Sequence, residues 1–218
     1  MADFIRARSP EHKEQRVAEI KAAAEALFAE KTYHEITLTA IAEKLSWTRA
    51  ALYKYFTTKE EIFLLLCEEK RNLYFDALRA AFPEGCSYPL GVYARVWSGI
   101  LSAHRDYLRY SDILTTIIET NVSVERLAEY KRNYFENAFD ISERMHRNLG
   151  ISVEDAYELS VSVHFHAVGL GGICYGNPLV QQAVELAGIE ASKIDFQDCM
   201  RRFIEMNLMY YCGGKSPA

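Results

Sequence analysis

From Pro10 to Pro83 the apolar residues recur at helical spacing, with no glycine or proline between those two prolines to interrupt them. Val17, Ile20, Ala24, Leu27 and Phe28 share one face and predict a first helix ending near Lys31. Ser9 before Pro10 has the form of an N-cap followed by proline at the first helical position. Thr37 can cap a short helix carrying Ile41, Ala42 and Leu45, and Thr48 can cap another carrying Leu52 and Phe56. Thr58-Lys59-Glu60-Glu61 has the spacing of a capping box and opens a long helix through Ile62, Leu65, Leu66, Leu73 and Leu78 towards Phe82. Glycine and proline then cluster at Pro83–Gly91 and at Gly176-Asn177-Pro178, which read as loops. Around them, helices are predicted at about Leu90–Asp106, Tyr107–Ile118, Ser123–Leu149, Ser152–Tyr175 and Asp195–Cys212. β-branched alternation is confined to His34–Thr39, too short and isolated to seed a sheet. The expected fold class is all-α.

The two short helices, separated only by Ser46 and Trp47, form a helix-turn-helix pattern. In the second, Leu52 and Phe56 lie one turn apart and face inward, which leaves Arg49, Ala50, Tyr53 and Lys54 on an outward face. Those residues suit DNA. Arg49 can donate a bidentate pair to guanine, Ala50 lets the helix approach base edges, and Tyr53 and Lys54 can reach phosphates. Thr37 and Thr39, at the start of the preceding helix, can offer a hydroxyl and backbone N–H groups to a phosphate. Trp47 reads as a plug between the helices whose indole N–H needs a partner, which a phosphate would supply. Lys59 stands at a helix start, a place the macrodipole disfavours for a cation unless an anion is near.

Composition first argues against this reading and then for it. The 218 residues are 50% hydrophobic and 12% aromatic, enough to bury a core without disulfides or metal and too much for a disordered chain. The longest weakly polar stretch, His164–Gly176, is too short to span a bilayer. A net charge of -5 excludes a generally basic nucleic-acid coat. Yet residues 1–60 hold 10 Lys and Arg against 9 Asp and Glu, while residues 61–218 hold 15 against 21. Between Lys44 and Lys59 there are four basic residues and no acidic one. The acidity belongs to the body, and the head is locally basic. The five cysteines are scattered, with no C-x-x-C pair, and the first residues lack the pattern of a signal peptide; a reducing, cytoplasmic setting is expected.

Three segments together resemble the TetR family of transcriptional regulators: Ile20–Phe28 its first helix, Thr37–Ala42 its second, and Leu52–Ile62 its recognition helix and the opening of the fourth. The resemblance covers about Arg16 to Ile62. It implies that Tyr53, Tyr55 and Lys59 clamp phosphates and that Arg49, Ala50 and Thr39 face the bases. Together with Thr37, Trp47, Thr48 and Lys54 from the helix-turn-helix itself, these are the expected DNA-binding residues. Thr32 and Ser46 stand where the family commonly has glycine, and Trp47 replaces a smaller aliphatic residue, so the turn geometry is the point of departure. The implied organisation is a helix-turn-helix domain at residues 1–60 and a helical effector-binding and dimerisation domain at residues 61–218. It implies a homodimeric repressor that leaves a near-palindromic double-stranded DNA operator when a small-molecule effector binds, with no cofactor and no membrane partner.

The remaining chain carries no P-loop, G-x-G-x-x-G, H-E-x-x-H or G-x-S-x-G motif, and no catalytic or metal-ligating residue is assigned. Glu143 and His146 have the Glu-x-x-His spacing of di-iron bundles, but a second copy is missing. His164 and His166 fall on opposite sides of a helix and read as core or interface residues. Two other function classes stay open: a metal-dependent helical-bundle enzyme using His146 or His164, and a dimeric adaptor whose helix-turn-helix packs on protein. Leu90, Tyr93, Trp97, Ile100 and His104 share a face, as do Leu127, Tyr130, Tyr134, Asn137, Ile141 and Met145. From these, Tyr93, Trp97, His104, Tyr134 and Asn137 are the effector-site candidates. The last two predicted helices, one with Gly169, Gly171 and Gly172 and the other with Phe196, Phe203, Met206, Leu208, Met209 and Tyr210, are the expected dimer interface.

Overall fold

The structure is a computed structural model that describes residues 10–175, 178–190 and 194–213. α1 runs Pro10–Glu30 and buries Ile20, Ala23, Ala24, Leu27 and Phe28, the face its periodicity marks. The Ser9 cap lies outside the described residues. A single 3-10 turn at Tyr33–Glu35 leads to α2, Leu38–Lys44, which Thr37 caps by accepting from Ala40 N at 3.1 Å. α3, Arg49–Leu52, is one turn long and is capped by Thr48, which accepts from Ala51 N at 3.2 Å. α4 spans Lys59–Ala81 behind a capping box: Thr58 Oγ1 accepts from Glu61 N at 3.3 Å, and the Glu61 carboxylate accepts from Thr57 N at 2.7 Å and Thr58 N at 3.4 Å.

Beyond α4, the chain forms α5 at Leu90–Ala103, α6 at Arg105–Ile113 with a π-helical turn at Leu114–Ile118, α7 at Val124–Leu149, α8 at Val153–Tyr175, α9 at Pro178–Leu186 and α10 at Phe196–Cys212. Two of these differ from the predicted spans. The expected helix Leu90–Asp106 stops at Ala103 because His104 leaves helical geometry (φ -105°, ψ 46°), and the next helix starts at once at Arg105. After the expected loop at Gly176-Asn177-Pro178 comes a helix that was not predicted, α9, in which Pro178 takes the first helical position, where its missing N–H costs nothing. Gly176 and Asn177 lie outside the described residues. No described helix is long and apolar enough to cross a membrane.

The buried side chains form two clusters. One joins α1, α2 and α3 to the first half of α4 through Ile20, Phe28, Ile41, Leu52, Phe63 and Leu66, and it also takes in Tyr110, Ile118 and Tyr130 from the body. The other joins the second half of α4 to α5, α6, α7, α8 and α10 around Tyr74, Trp97, Leu101, Leu159 and Ile204. Each fully buried Leu, Ile or Phe contributes about 1.5–3 kcal/mol relative to exposure, so α4 is held along its whole length. Between the clusters lies Arg71 of α4, 1% exposed. Its guanidinium donates to Asn133 Oδ1 and sits 4.7 Å from the Tyr130 ring, with the Glu68 carboxylate 3.7 Å away.

Candidate functional site

Leu52 and Phe56 are buried at 0% and 4% exposure, which turns Thr48, Arg49, Ala50, Tyr53 and Lys54 outward as the periodicity requires. The turn that sets this helix is closed by Ser46 at φ +56°, the left-handed region in which glycine is favoured. Ser46 N donates to Glu43 O at 3.0 Å and Trp47 N to Ala42 O at 2.8 Å, the double closure that ends a helix in a left-handed residue. Serine therefore reproduces the glycine turn at a cost in backbone strain. Thr32 needs no such conformation, since it is extended (φ -73°, ψ 155°) and donates to the Glu35 carboxylate at 2.7 Å.

On the outward face Arg49 and Tyr53 hold each other. Arg49 Nε and Nη2 donate to the Tyr53 hydroxyl at 3.2 and 2.7 Å, and the guanidinium carbon lies 5.2 Å from the ring centroid. Ala50, Thr39, Thr37 and Lys54 are exposed around them. Trp47 is half-buried against Tyr55, ring centroids 6.1 Å apart, and the Arg16 guanidinium covers it at 5.0 Å. Lys59 does not stand free on this surface. Its ammonium donates to Tyr33 O and Ile36 O, both at 2.8 Å, and lies 4.0 Å from the Tyr33 centroid; burial lowers its pKa. Backbone carbonyls, rather than an external anion, offset the macrodipole here. The Arg16 contact with Trp47 escaped the sequence reading because no local spacing joins α1 to the helix-turn-helix.

In the body, a slot with about 30 Å3 of free space lies between α4, α5, α6, α7 and α8. Trp97 and Tyr134 line it, together with Tyr74, Phe75, Tyr107, Tyr157 and His164. The other three effector candidates are not on its wall. Tyr93 stacks on Phe82 with centroids 3.8 Å apart, and Asn137 accepts from Arg79 at 2.7 Å and donates to Asn133 O. His104 forms the α5–α6 corner, edge-on to Tyr74. The sequence reading missed Tyr107 and His164, which stack on each other from α6 and α8 with centroids 5.2 Å apart. His164, Val161 and Tyr157 do share an i, i+4, i+7 face of α8, a signal that could have found His164 but not Tyr107 on α6. Buried without a countercharge, His164 is lowered to a pKa of about 4, and its Nδ1 has no hydrogen-bond partner among the described residues.

Neither metal reading gains a ligand set, for among the described residues no group of three or more His, Cys, Asp or Glu could hold an ion. His146 Nδ1 meets Ile151 O, and Glu143 pairs with Arg147. Of the residues expected at the dimer interface, Phe196 and Leu208 are core residues at 3% and 0% exposure, and in chain order α9 comes between α8 and α10. The apolar residues left exposed on α8 and α10 are Phe165, Ile173, Tyr175, Met206, Met209 and Tyr210.

The family model for bacterial regulatory proteins of the tetR family matches residues 20–66, and that for the tetracyclin repressor-like C-terminal domain matches residues 68–209. The chain belongs to the TetR family. It is a DNA-binding transcriptional regulator, and TetR-family regulators are non-enzymatic. Solved structures share the fold of this TetR-family regulator at low identity. A tetR-family regulatory protein from Rhodococcus RHA1 is 18% identical, with 89% of this chain and 96% of that one aligned and a TM-score of 0.56. The fatty acid degradation regulator FadR from Bacillus halodurans is 14% identical over 93% and 97%, with a TM-score of 0.59. A TetR/AcrR-family regulator from Thermobifida fusca is 17% identical over 93% and 100%, with a TM-score of 0.58. No curated protein sequence matches the chain.

Proposed function

We propose that the regulator is a homodimeric repressor in which the head, residues 1–60, reads a near-palindromic operator and the body, residues 61–218, dimerises and binds a small-molecule effector. The exposed Arg49–Tyr53 pair beside Ala50 carries this reading. The pair is exposed, so the guanidinium can trade a hydroxyl for guanine or phosphate at small cost. Thr37, Thr39, Thr48, Trp47, Lys54 and Tyr55 are the proposed flanking contacts. Lys59 is a weaker contributor, with one N–H left after its two carbonyls. Two heads would enter successive major grooves roughly 34–36 Å apart. Dimerisation is assigned to α8 and α10, supported by exposed Phe165, Met206, Met209 and Tyr210, and the regulator acts in the cytoplasm.

Effector binding would reach the head along two helices. α4 lines the slot with Tyr74, Phe75 and Leu78 and buries Ile62 and Phe63 in the head. α6 lines it with Tyr107, while Arg109 of the same helix donates to Phe28 O and to Lys31 O at the end of α1 and lies 3.9 Å from the Phe28 ring. A coupling of about 1–3 kcal/mol through these contacts would release the operator by roughly 5- to 150-fold. The test is titration of the protein's upstream DNA at several salt concentrations. Arg49→Ala is expected to weaken operator binding by about 1–3 kcal/mol, and Tyr53→Phe by less. Unchanged salt-dependent binding in both variants overturns the reading, and a flat salt response in the wild type would favour the adaptor.

A further inference from the structure

The walls of the slot include the rings of Tyr74, Trp97, Tyr107, Tyr134, Tyr157 and His164, and none of its lining side chains carries a charge. Several of its polar groups are already hydrogen-bonded. Trp97 Nε1 donates to the Tyr74 hydroxyl at 2.8 Å, Ser160 Oγ donates to Ala156 O at 2.9 Å, and Tyr134 hydrogen-bonds to Tyr157. His164 Nδ1 is buried and unpartnered among the described residues. We infer that the effector is an uncharged, flat aromatic molecule with one hydroxyl, which meets His164 Nδ1 while the ring lies among Tyr107, Tyr134 and Tyr157. The inference rests on the effector reading above.

Three physical points lead there. A hydroxyl both donates and accepts, so it satisfies His164 in either neutral tautomer. A charged ligand would shed its water against walls that offer no opposing charge. The Arg71 guanidinium, 5.8 Å from the Tyr134 ring centroid, is not among the lining side chains, and it donates to Asn133 beside the Glu68 carboxylate. Free space of about 30 Å3 holds a water or two and no aromatic ring, so the ligand must displace a wall. Tyr74, Trp97 and Tyr107 are fully packed, whereas Tyr134, Tyr157 and Val161 are half-buried on the α7–α8 side. That seam is the side that yields.

The test titrates the full-length protein with 4-methylphenol, toluene and 4-methylbenzoate, following binding calorimetrically. In the wild type 4-methylphenol should bind about fivefold to tenfold more tightly than toluene, the return on one buried hydrogen bond, and 4-methylbenzoate should bind least. His164→Phe keeps a ring against Tyr107 and removes the nitrogen, so it should retain toluene binding and lose the advantage of 4-methylphenol. Equal binding of 4-methylphenol and toluene by the wild type, tighter binding of the benzoate, or an advantage that survives in His164→Phe would each overturn the inference. Should His164→Phe fail to fold, Val161→Trp fills the yielding side and must abolish binding of both neutral probes; retained binding refutes the location. If no probe binds the wild type, the ligand class is wrong. The effector reading is then judged separately, by whether a low-molecular-weight fraction of cell extract releases the operator.

Discussion

Arg49 and Tyr53 meet on the exposed face of the head, whereas Arg71 and Tyr130 meet under the α4–α7 seam of the body. The two pairs use the same chemistry at similar separations, 5.2 and 4.7 Å from guanidinium carbon to ring centroid. Their surroundings make them different devices. Water already competes for Arg49, so exchanging Tyr53 for a DNA group costs little. Arg71 has lost its water and depends on Asn133, Glu68 and the rings around it, and its Nη1 still has no partner among the described residues. The exposed pair is suited to exchange and the buried one to holding α4 against α7.

Substitution should separate them most clearly. Arg71→Ala is expected to lower unfolding stability in urea by about 2–5 kcal/mol, as other large-to-small changes in packed sites do. Arg49→Ala should leave stability within about 0.5 kcal/mol while weakening operator binding, and comparable losses of stability in the two would break the contrast. Because α4 belongs to both buried clusters, a single cooperative transition is expected.

Acid sharpens the contrast next. The unfolded pKa of His164 is near 6.5 and the folded one about 4, so the unfolded chain binds more protons between them. Stability is full above about pH 6.5 and falls as the pH drops towards 4, by roughly 2–3 kcal/mol for this group. The groups facing it are uncharged: Tyr107 from α6, Tyr74 from α4, Tyr134 from α7 and Tyr157 on α8 itself. His164→Phe should flatten that part of the pH profile, and an identical profile in the variant would refute the assignment. The smallest effect belongs to the head. Ser46→Gly relieves the left-handed strain and should raise stability by about 0.5–1 kcal/mol, roughly 1–4 °C in Tm by thermal melting. A lower Tm would mean that the turn is not strained.

Ile20, Leu27 and Phe28, the caps at Thr37, Thr48 and Thr58, and the burial of Leu52 and Phe56 were all legible in advance. Each depends on contacts within one helical turn, which spacing displays. α9 was missed because Pro178 was read only as the end of a loop, although a proline also starts helices. Tyr93 and Asn137 share apolar faces with true slot residues, yet Phe82 and Arg79 claim them, and neither neighbour is close in sequence.

The sequence by itself determined most of the helices, the caps at Thr37, Thr48 and Thr58, the outward face carrying Arg49, Ala50, Tyr53 and Lys54, and the basic head on an acidic body. Those properties follow from hydrogen bonds and periodicities spanning three or four residues. Only the tertiary structure decided that Lys59 ties to Tyr33 and Ile36, that Ser46 takes a glycine conformation, that Arg109 reaches the end of α1, and that His164 lines an aromatic slot with its Nδ1 unpartnered among the described residues. Lys59, Arg109 and His164 depend on which distant element arrives opposite a side chain, and at Ser46 the backbone closure outweighed the residue's own preference.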